Sequence, residues 1–453
     1  MTTKLRLAIV GAGPAGIYAA DILLKAERHF EVSIDLFDHL PAPYGLVRYG
    51  VAPDHPRIKG IIRALREVLD RGDIRLFGNV HYGTDLTLDD LKQHYNAVIF
   101  ATGAVRDASL DIPGIDLPRS YGAAEFVNWY DGHPDFPREW PLDTESVAVV
   151  GNGNVALDVA RMLAKHADDL LPTEIPANVY EGLKASKVTD VHVFGRRGPA
   201  QVKFTPLELR ELGELRDVDM VLYDEDFEVV DAASQAAIET NKQVMVINRV
   251  LNSWRTRETG QASRRLHLHF WAKPLEVVGD PETGVQALRY ERTEPDGEGG
   301  VRGTGEIRET PVQGLYRAVG YFGSPLDGIP FDERRGVIPN REGQVLDDNH
   351  DEVPGVYATG WIKRGPVGLI GHTKSDAMET ISHLINGQAD WWSPSHPSPE
   401  SVTELLESRG VEYTDLSGWH NLDEAEKARG EAQGRERIKL VERREMLDAA
   451  RGA

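Results

Sequence analysis

The chain has 453 residues, 41% of them apolar and 27% charged, with 44 glycines, which allows two or three globular units and argues against a disordered or fibrous chain. Lysine and arginine total 51 against 72 aspartates and glutamates, and a net charge of −21 opposes nucleic-acid binding. There is no cysteine, so thiol–disulfide exchange, disulfides and a cysteine-held iron–sulfur cluster are excluded; redox chemistry here needs a bound organic cofactor, and a reducing compartment fits.

Residues 5–10 form an apolar run that ends in Gly11-Ala12-Gly13-Pro14-Ala15-Gly16, and Ile17, Ala20, Leu23 and Leu24 follow at helical spacing. The pattern reads as strand, tight turn, helix. Lys4 and Arg6 ahead of the apolar residues 7–20 imitate a signal peptide, but the glycines and Pro14 interrupt the stretch, so a cytoplasmic protein is expected. No stretch reaches the length of a membrane span. A second strand is predicted over 32–37 and stops at Asp38, 27 residues after Gly11, the arrangement of a dinucleotide-binding unit. In such a unit Gly11, Gly13 and Pro14 shape the turn, the helix N-terminus meets a pyrophosphate, and Asp38 accepts hydrogen bonds from ribose hydroxyls. Ile58, Ile61, Ile62, Leu65 and Leu69 predict a helix, and 74–80 and 97–101 predict strands, the last leading into Thr102-Gly103-Ala104.

The same grammar recurs from Val147. An apolar strand over 147–150 enters Gly151-Asn152-Gly153-Asn154-Val155-Ala156, and a helix and a strand over 188–194 follow. That strand ends in Gly195-Arg196-Arg197 where the first unit has an acid. Guanidinium groups there suit the 2′-phosphate of NADP, although a solvated basic turn has the same composition. Antiparallel strands are predicted between 266 and 293, with a polar loop over 295–305. A strand from Val356 enters Ala358-Thr359-Gly360-Trp361, and a helix is predicted over 373–385. The tail from Asp390 reads as a peripheral extension with two charged helical stretches.

Residue by residue, several chemical readings stay open. His55, in Pro53-Asp54-His55-Pro56, is either an ordinary loop histidine or a functional one. Glu208 and Glu211 share one helix face and by themselves read as solvated. Residues 249–265 hold Arg249, Arg255, Arg257, Arg264 and Arg265 against Glu258 alone, either a solvated loop or a docking patch for an acidic protein. Trp361 offers an aromatic face beside a ring system or fills a core. Walker, HExxH, zinc-ligand and nucleophile-elbow patterns are absent from the sequence, and no metal site is expected.

The first glycine turn, residues 44–56 (Tyr-Gly-Leu-Val-Arg-Tyr-Gly-Val-Ala-Pro-Asp-His-Pro), residues 151–161, the 195–199 turn and residues 360–366 together resemble the adrenodoxin reductase-type ferredoxin NADP reductases, in particular their actinobacterial members. The resemblance runs from residue 5 to about 386. It implies an α/β chain of two Rossmann-like dinucleotide-binding domains, an FAD domain over 1–104 and 325–453 with an NADP domain over 105–324 inserted in it. By the same likeness Ala15, Asp38, Leu46, Val80, Trp361, Gly368, Leu369 and Ile370 contact FAD. Asn152, Gly153, Asn154, Val155, Arg196, Arg197, Glu208 and Gly368 contact NADP, and His55 and Glu211 form a pair near flavin and nicotinamide. Relatives carry an NADP-binding arginine where Ala108 stands, and Arg106 is the nearest substitute. The implied activity is hydride transfer from NADPH to flavin N5 followed by one-electron steps to a ferredoxin that docks near the arginines of 249–265, by a monomer. An NADPH-dependent flavin monooxygenase and a non-catalytic nucleotide-sensing flavoprotein are the alternatives.

Overall fold

The computed structural model describes residues 4–367 and 372–452, apart from the side chain of Arg57. Seven strands form the first sheet, in the spatial order Asn340–Arg341, Gln344–Leu346, Glu352–Ala358, Ala97–Phe100, Lys4–Val10, Glu31–Phe37 and Ile74–Phe77. The Lys4–Val10 strand is parallel to both of its neighbours, in register with Glu31–Phe37 on one side and, through Leu7–Val10, with Ala97–Phe100 on the other. Both of its faces are covered, which is why Leu5, Leu7, Ala8 and Ile9 read as a continuous apolar run rather than an alternating one.

A second sheet lies within the sequence between the fourth and fifth strands of the first. Its order is Ser120–Gly122, Gly314–Arg317, Ser146–Val150, Asp190–Phe194, Arg264–His269 and Val218–Leu222, and all its pairings are parallel. Three antiparallel strands, Ala272–Asp280, Gly284–Pro295 and Val301–Pro311, stack on one part of it through Val277, Val285, Leu288 and Tyr290.

Several predicted elements shift. The strand predicted over 74–80 ends at Phe77, because Asn79 takes a left-handed φ of 59° that breaks the ladder. The helix predicted from Ile58 is two short pieces, Pro56–Lys59 and Ile61–Leu69, divided at Gly60. Residues 264–269 belong to the parallel sheet rather than to the antiparallel set, and the second half of the polar loop expected over 295–305, from Val301, is the start of a third antiparallel strand. Its polarity reflects exposure on both faces.

The tail is the largest departure. Its helices are three, Pro399–Ser408, Leu416–Glu431 and Arg443–Ala450, and they are not peripheral. Trp419, Leu422, Leu440, Met446 and Ala450 join the core that contains Leu7, Leu36 and Leu65, while Val402 and Leu406 pack with Phe77 and Val98. Arg48 and Glu426, both buried, form a bidentate pair at 3.1 and 2.5 Å. Among the described residues no helix is long and apolar enough to cross a membrane.

Candidate active site

In each of the two large sheets the strand that leads into the glycine turn stands where the strand order reverses, the usual position for a nucleotide in an open α/β sheet. In the first, the reversal falls between Lys4–Val10 and Ala97–Phe100. Gly11 has a φ of 114°, a Cβ on it would stand 2.4 Å from the Ala101 carbonyl oxygen, and one on Gly16 would stand 2.0 Å from the Gly11 oxygen. These glycines serve packing. Gly13 differs, since the nearest described atom to its added Cβ would be the Gly45 Cα at 3.8 Å, so its face is free for a phosphate. Pro14 opens the helix Pro14–Lys25, no side chain caps that helix, and Thr102 Oγ1 nearby in sequence to the adjoining strand is buried without a hydrogen-bond partner among the described residues.

The residues expected around this turn are assembled by backbone contacts. Tyr44 N–H donates to the Ala12 carbonyl at 2.8 Å, which brings Gly45 against Gly13 and starts the helix Leu46–Tyr49 there. Asp38 is buried, and its carboxylate accepts from Ala12 N–H at 2.8 Å and Leu40 N–H at 2.9 Å. It therefore braces the glycine turn and retains lone pairs for a ribose. Val80 N–H donates to the Asp38 carbonyl at 2.8 Å. Ala15 faces Gly360, where any side chain would collide with its Cβ, so the 360–366 turn closes on the start of the first helix. Trp361 begins the short helix Trp361–Arg364, half-buried, and Asp376 anchors that turn by accepting from Gly360 N–H at 2.5 Å and Thr359 Oγ1 at 3.1 Å. Gly368, Leu369 and Ile370 lie outside the described residues.

The second turn is built alike. A Cβ on Gly151 would stand 2.2 Å from the Ala318 carbonyl oxygen, whereas a Cβ on Gly153 would meet no other described residue within 4 Å. Asn154 Oδ1 accepts from Thr205 N–H at 2.9 Å, joining the helix Asn154–Ala164, on which Val155 sits in the first turn, to the helix Pro206–Gly213 that carries Glu208 and Glu211. Asn152 Nδ2 and Glu208 Oε2 are buried without hydrogen-bond partners among the described residues, and burial pushes the Glu208 carboxyl up. Arg196 is exposed and Arg197 half-buried, and neither guanidinium has an acidic or acceptor partner among the described residues. Arg106 is committed elsewhere: it donates to the Gly323 carbonyl at 3.0 Å and lies 3.5 Å from Glu333.

The two halves meet at His55. Its ring is 3% exposed, with Nε2 2.8 Å from Asp158 Oδ1 and Nδ1 3.1 Å from Glu211 Oε2. Arg161 bonds Asp158 at 2.7 Å and Asp54 at 2.8 and 2.9 Å, and Lys165 adds a 2.8 Å bond to Asp54. Burial works against a charged ring, and so does Arg161 Nη2 at 2.8 Å from Nε2. The Asp158 and Glu211 carboxylates outweigh both and leave the imidazole pushed up to about 9. Although burial raises the Asp54 carboxyl, Arg161 and Lys165 hold it well below the usual carboxylate range. His55 is thus a buried cation in a charged cluster that spans both glycine-turn units. Asp158 and Arg161 were missed as site residues by sequence reasoning, yet their i, i+3 spacing one turn into the second helix puts them on one face.

The family model described as pyridine nucleotide-disulphide oxidoreductase matches residues 5–196. NADPH-ferredoxin reductase FprA of Mycobacterium tuberculosis is 39% identical, over 97% of this chain and 98% of its own. The chain belongs to the NADPH-ferredoxin and adrenodoxin reductase family. The NADPH:adrenodoxin oxidoreductase of Bos taurus is 37% identical over 98% of this chain and 91% of its own. The structure of M. tuberculosis FprA in complex with NADPH superposes with a TM-score of 0.91, at 38% identity, covering 99% of this chain and all of that one. Since this member of the family has no cysteine, the disulphide chemistry in the family model's description has no counterpart here.

Proposed function

We propose that the chain is an NADPH:ferredoxin oxidoreductase of the cytoplasm that uses FAD, with the first glycine turn as the FAD site and the second as the NADP site. Residues 1–104 and 325–453 then form the FAD domain and 105–324 the NADP domain. FAD, when bound, supplies the conversion between a two-electron donor and a one-electron carrier. The open face of Gly13, the uncapped helix behind it and the orphaned Thr102 hydroxyl fit a dinucleotide pyrophosphate, and Asp38 is held ready for the adenosine ribose. Leu46, Val80, Ala15 and Trp361 would line the rest of the flavin nucleotide.

The observation that carries the reading is the contrast between Asp38 and the free Arg196–Arg197 pair at equivalent places in the two units. A carboxylate suits a ribose diol and repels a 2′-phosphate, whereas two unpaired guanidiniums grip one. Asn152, Gly153, Asn154 and Val155 would bind the NADP pyrophosphate, and Glu208, with an unsatisfied oxygen, would accept from the nucleotide. His55 and Glu211 would orient the nicotinamide, and the buried positive charge on His55 would favour electron density arriving at the neighbouring ring system.

For the ferredoxin, the patch at 249–265 is narrower than its composition. Arg255 is bound to Asp224 and Arg265 to Asp190, while Arg264 donates to the Ala164 and Lys165 carbonyls. Exposed Arg249 and Arg257 remain for an acidic iron–sulfur protein, and a monomer is the unit proposed to dock it.

The deciding assay is cytochrome c reduction by the FAD-loaded protein with NADPH, with and without an added bacterial ferredoxin, and with NADH as control. Ferredoxin is expected to accelerate the NADPH rate several-fold. No acceleration, with the flavin still bleached by NADPH, would reject the acceptor while keeping the cofactors.

A further inference from the structure

The second sheet carries a histidine cluster that the reaction does not use. His192 and His267 face each other in register on the neighbouring strands Asp190–Phe194 and Arg264–His269, and His269 lies two residues farther along the same face. Paired side chains on adjacent strands are about 5 Å apart and i, i+2 neighbours about 7 Å, so three imidazoles in this pattern converge. One ligating nitrogen from each lies within 4.8 Å of the others, and His192 Nδ1 is 3.0 Å from His269 Nε2. We infer that this cluster is a binding site for a divalent transition ion of the zinc type, held by His192, His267 and His269.

Two observations support the assignment. A tetrahedral ion with nitrogens at about 2.0–2.1 Å spaces its donors roughly 3.3 Å apart, close to the His192–His269 separation, while the His192 and His267 rings stack 4.1 Å apart at 14°, so binding the ion turns them out of that stack. His267 has a partner on each ring nitrogen, Asp190 Oδ1 at 3.1 Å and Tyr223 Oη at 2.9 Å, so whichever nitrogen meets the ion, the other keeps an orienting bond. Imidazole donors select zinc, copper or nickel over magnesium and calcium, and water would complete the coordination. The sequence hides the site because its ligands come from two strands whose adjacency is set only by the sheet.

The experiment is dialysis of the FAD-loaded protein against micromolar zinc, with bound metal counted by mass spectrometry. About one zinc per chain is expected, falling to under a tenth in H192Q/H269Q and unchanged in H39Q, which alters a second histidine-containing cluster among the described residues, His39 with His133 and Asp135. Magnesium is expected not to bind. Absence of stoichiometric zinc in the parent protein, or equal zinc in H192Q/H269Q, would overturn the site. Where the double variant fails to fold, X-ray absorption of the zinc-loaded parent decides: three imidazole nitrogens uphold the assignment, and a carboxylate shell rejects it.

Discussion

His55 Nε2 and Asp158 Oδ1 stand 2.8 Å apart across 103 residues of sequence, which ties a loop of the first glycine-turn half to the helix opening from the second turn. The contact makes the histidine's charge a property of the joined halves. Replacing Asp158 with asparagine is expected to bring the ring back toward its ordinary value near 6.5, and a titration of the His55 ring by NMR checks it. A ring that still titrates near 9 would leave Glu211 as the sole cause.

The same shift fixes the sign of a pH effect on stability. His55 is raised in the folded protein, so its contribution is complete below the unfolded value near 6.5 and is lost as pH rises through about 9. The loss is at most about 3 kcal/mol. Urea midpoints measured from pH 6 to 10 should fall for the parent chain and fall less for H55Q. Parallel curves would show that the ion pair contributes little to folding.

Arg196→Ala together with Arg197→Ala is expected to raise the KM for NADPH by roughly 100-fold or more, as loss of two charge-assisted bonds of about 1.5–3 kcal/mol each requires, with less than about a twofold change for NADH. Equal losses for the two nucleotides would remove the arginines from the 2′-phosphate role.

The glycines of each turn separate into two kinds. Gly16→Ala puts a methyl group 2.0 Å from the Gly11 carbonyl oxygen and is expected to abolish folding or flavin retention. Gly153→Ala meets no other described residue within 4 Å, so its melting temperature should stay within about 2 °C of the parent while its NADPH affinity falls at least about fivefold. Unchanged affinity in Gly153→Ala would mean the nucleotide does not approach that backbone.

Lys439, buried in the tail, donates to the Arg48 and Asp131 carbonyls at 2.6 and 3.1 Å and pairs with Glu174 at 2.9 Å. Lys439→Met leaves Glu174 with Lys59 and a distant Arg437 as its cations, and is expected to cost about 3–5 kcal/mol of stability. Denaturant melts check this, and a loss below about 1 kcal/mol would make the tail's charge network dispensable.

What the sequence by itself determined was local. Gly11 and Gly151 mark turns where only a missing side chain fits, and the parallel strands behind them declare double-sided burial through unbroken apolar runs. The contrast of Asp38 with Arg196 and Arg197 follows from position after a strand. Each of these signals lies within one strand–turn–helix–strand unit, where backbone sterics and periodicity act. The tertiary structure alone decided which distant groups meet: Asp158 with His55, Arg48 with Glu426, His192 with His267, and Trp419 with Tyr44, whose hydroxyl it reaches at 3.3 Å. It also tied Arg255 to Asp224, Arg265 to Asp190 and Arg264 to the Ala164 and Lys165 carbonyls. A charged residue reads alike in sequence whether solvent or a buried partner neutralises it, and only the packing of remote segments distinguishes the two.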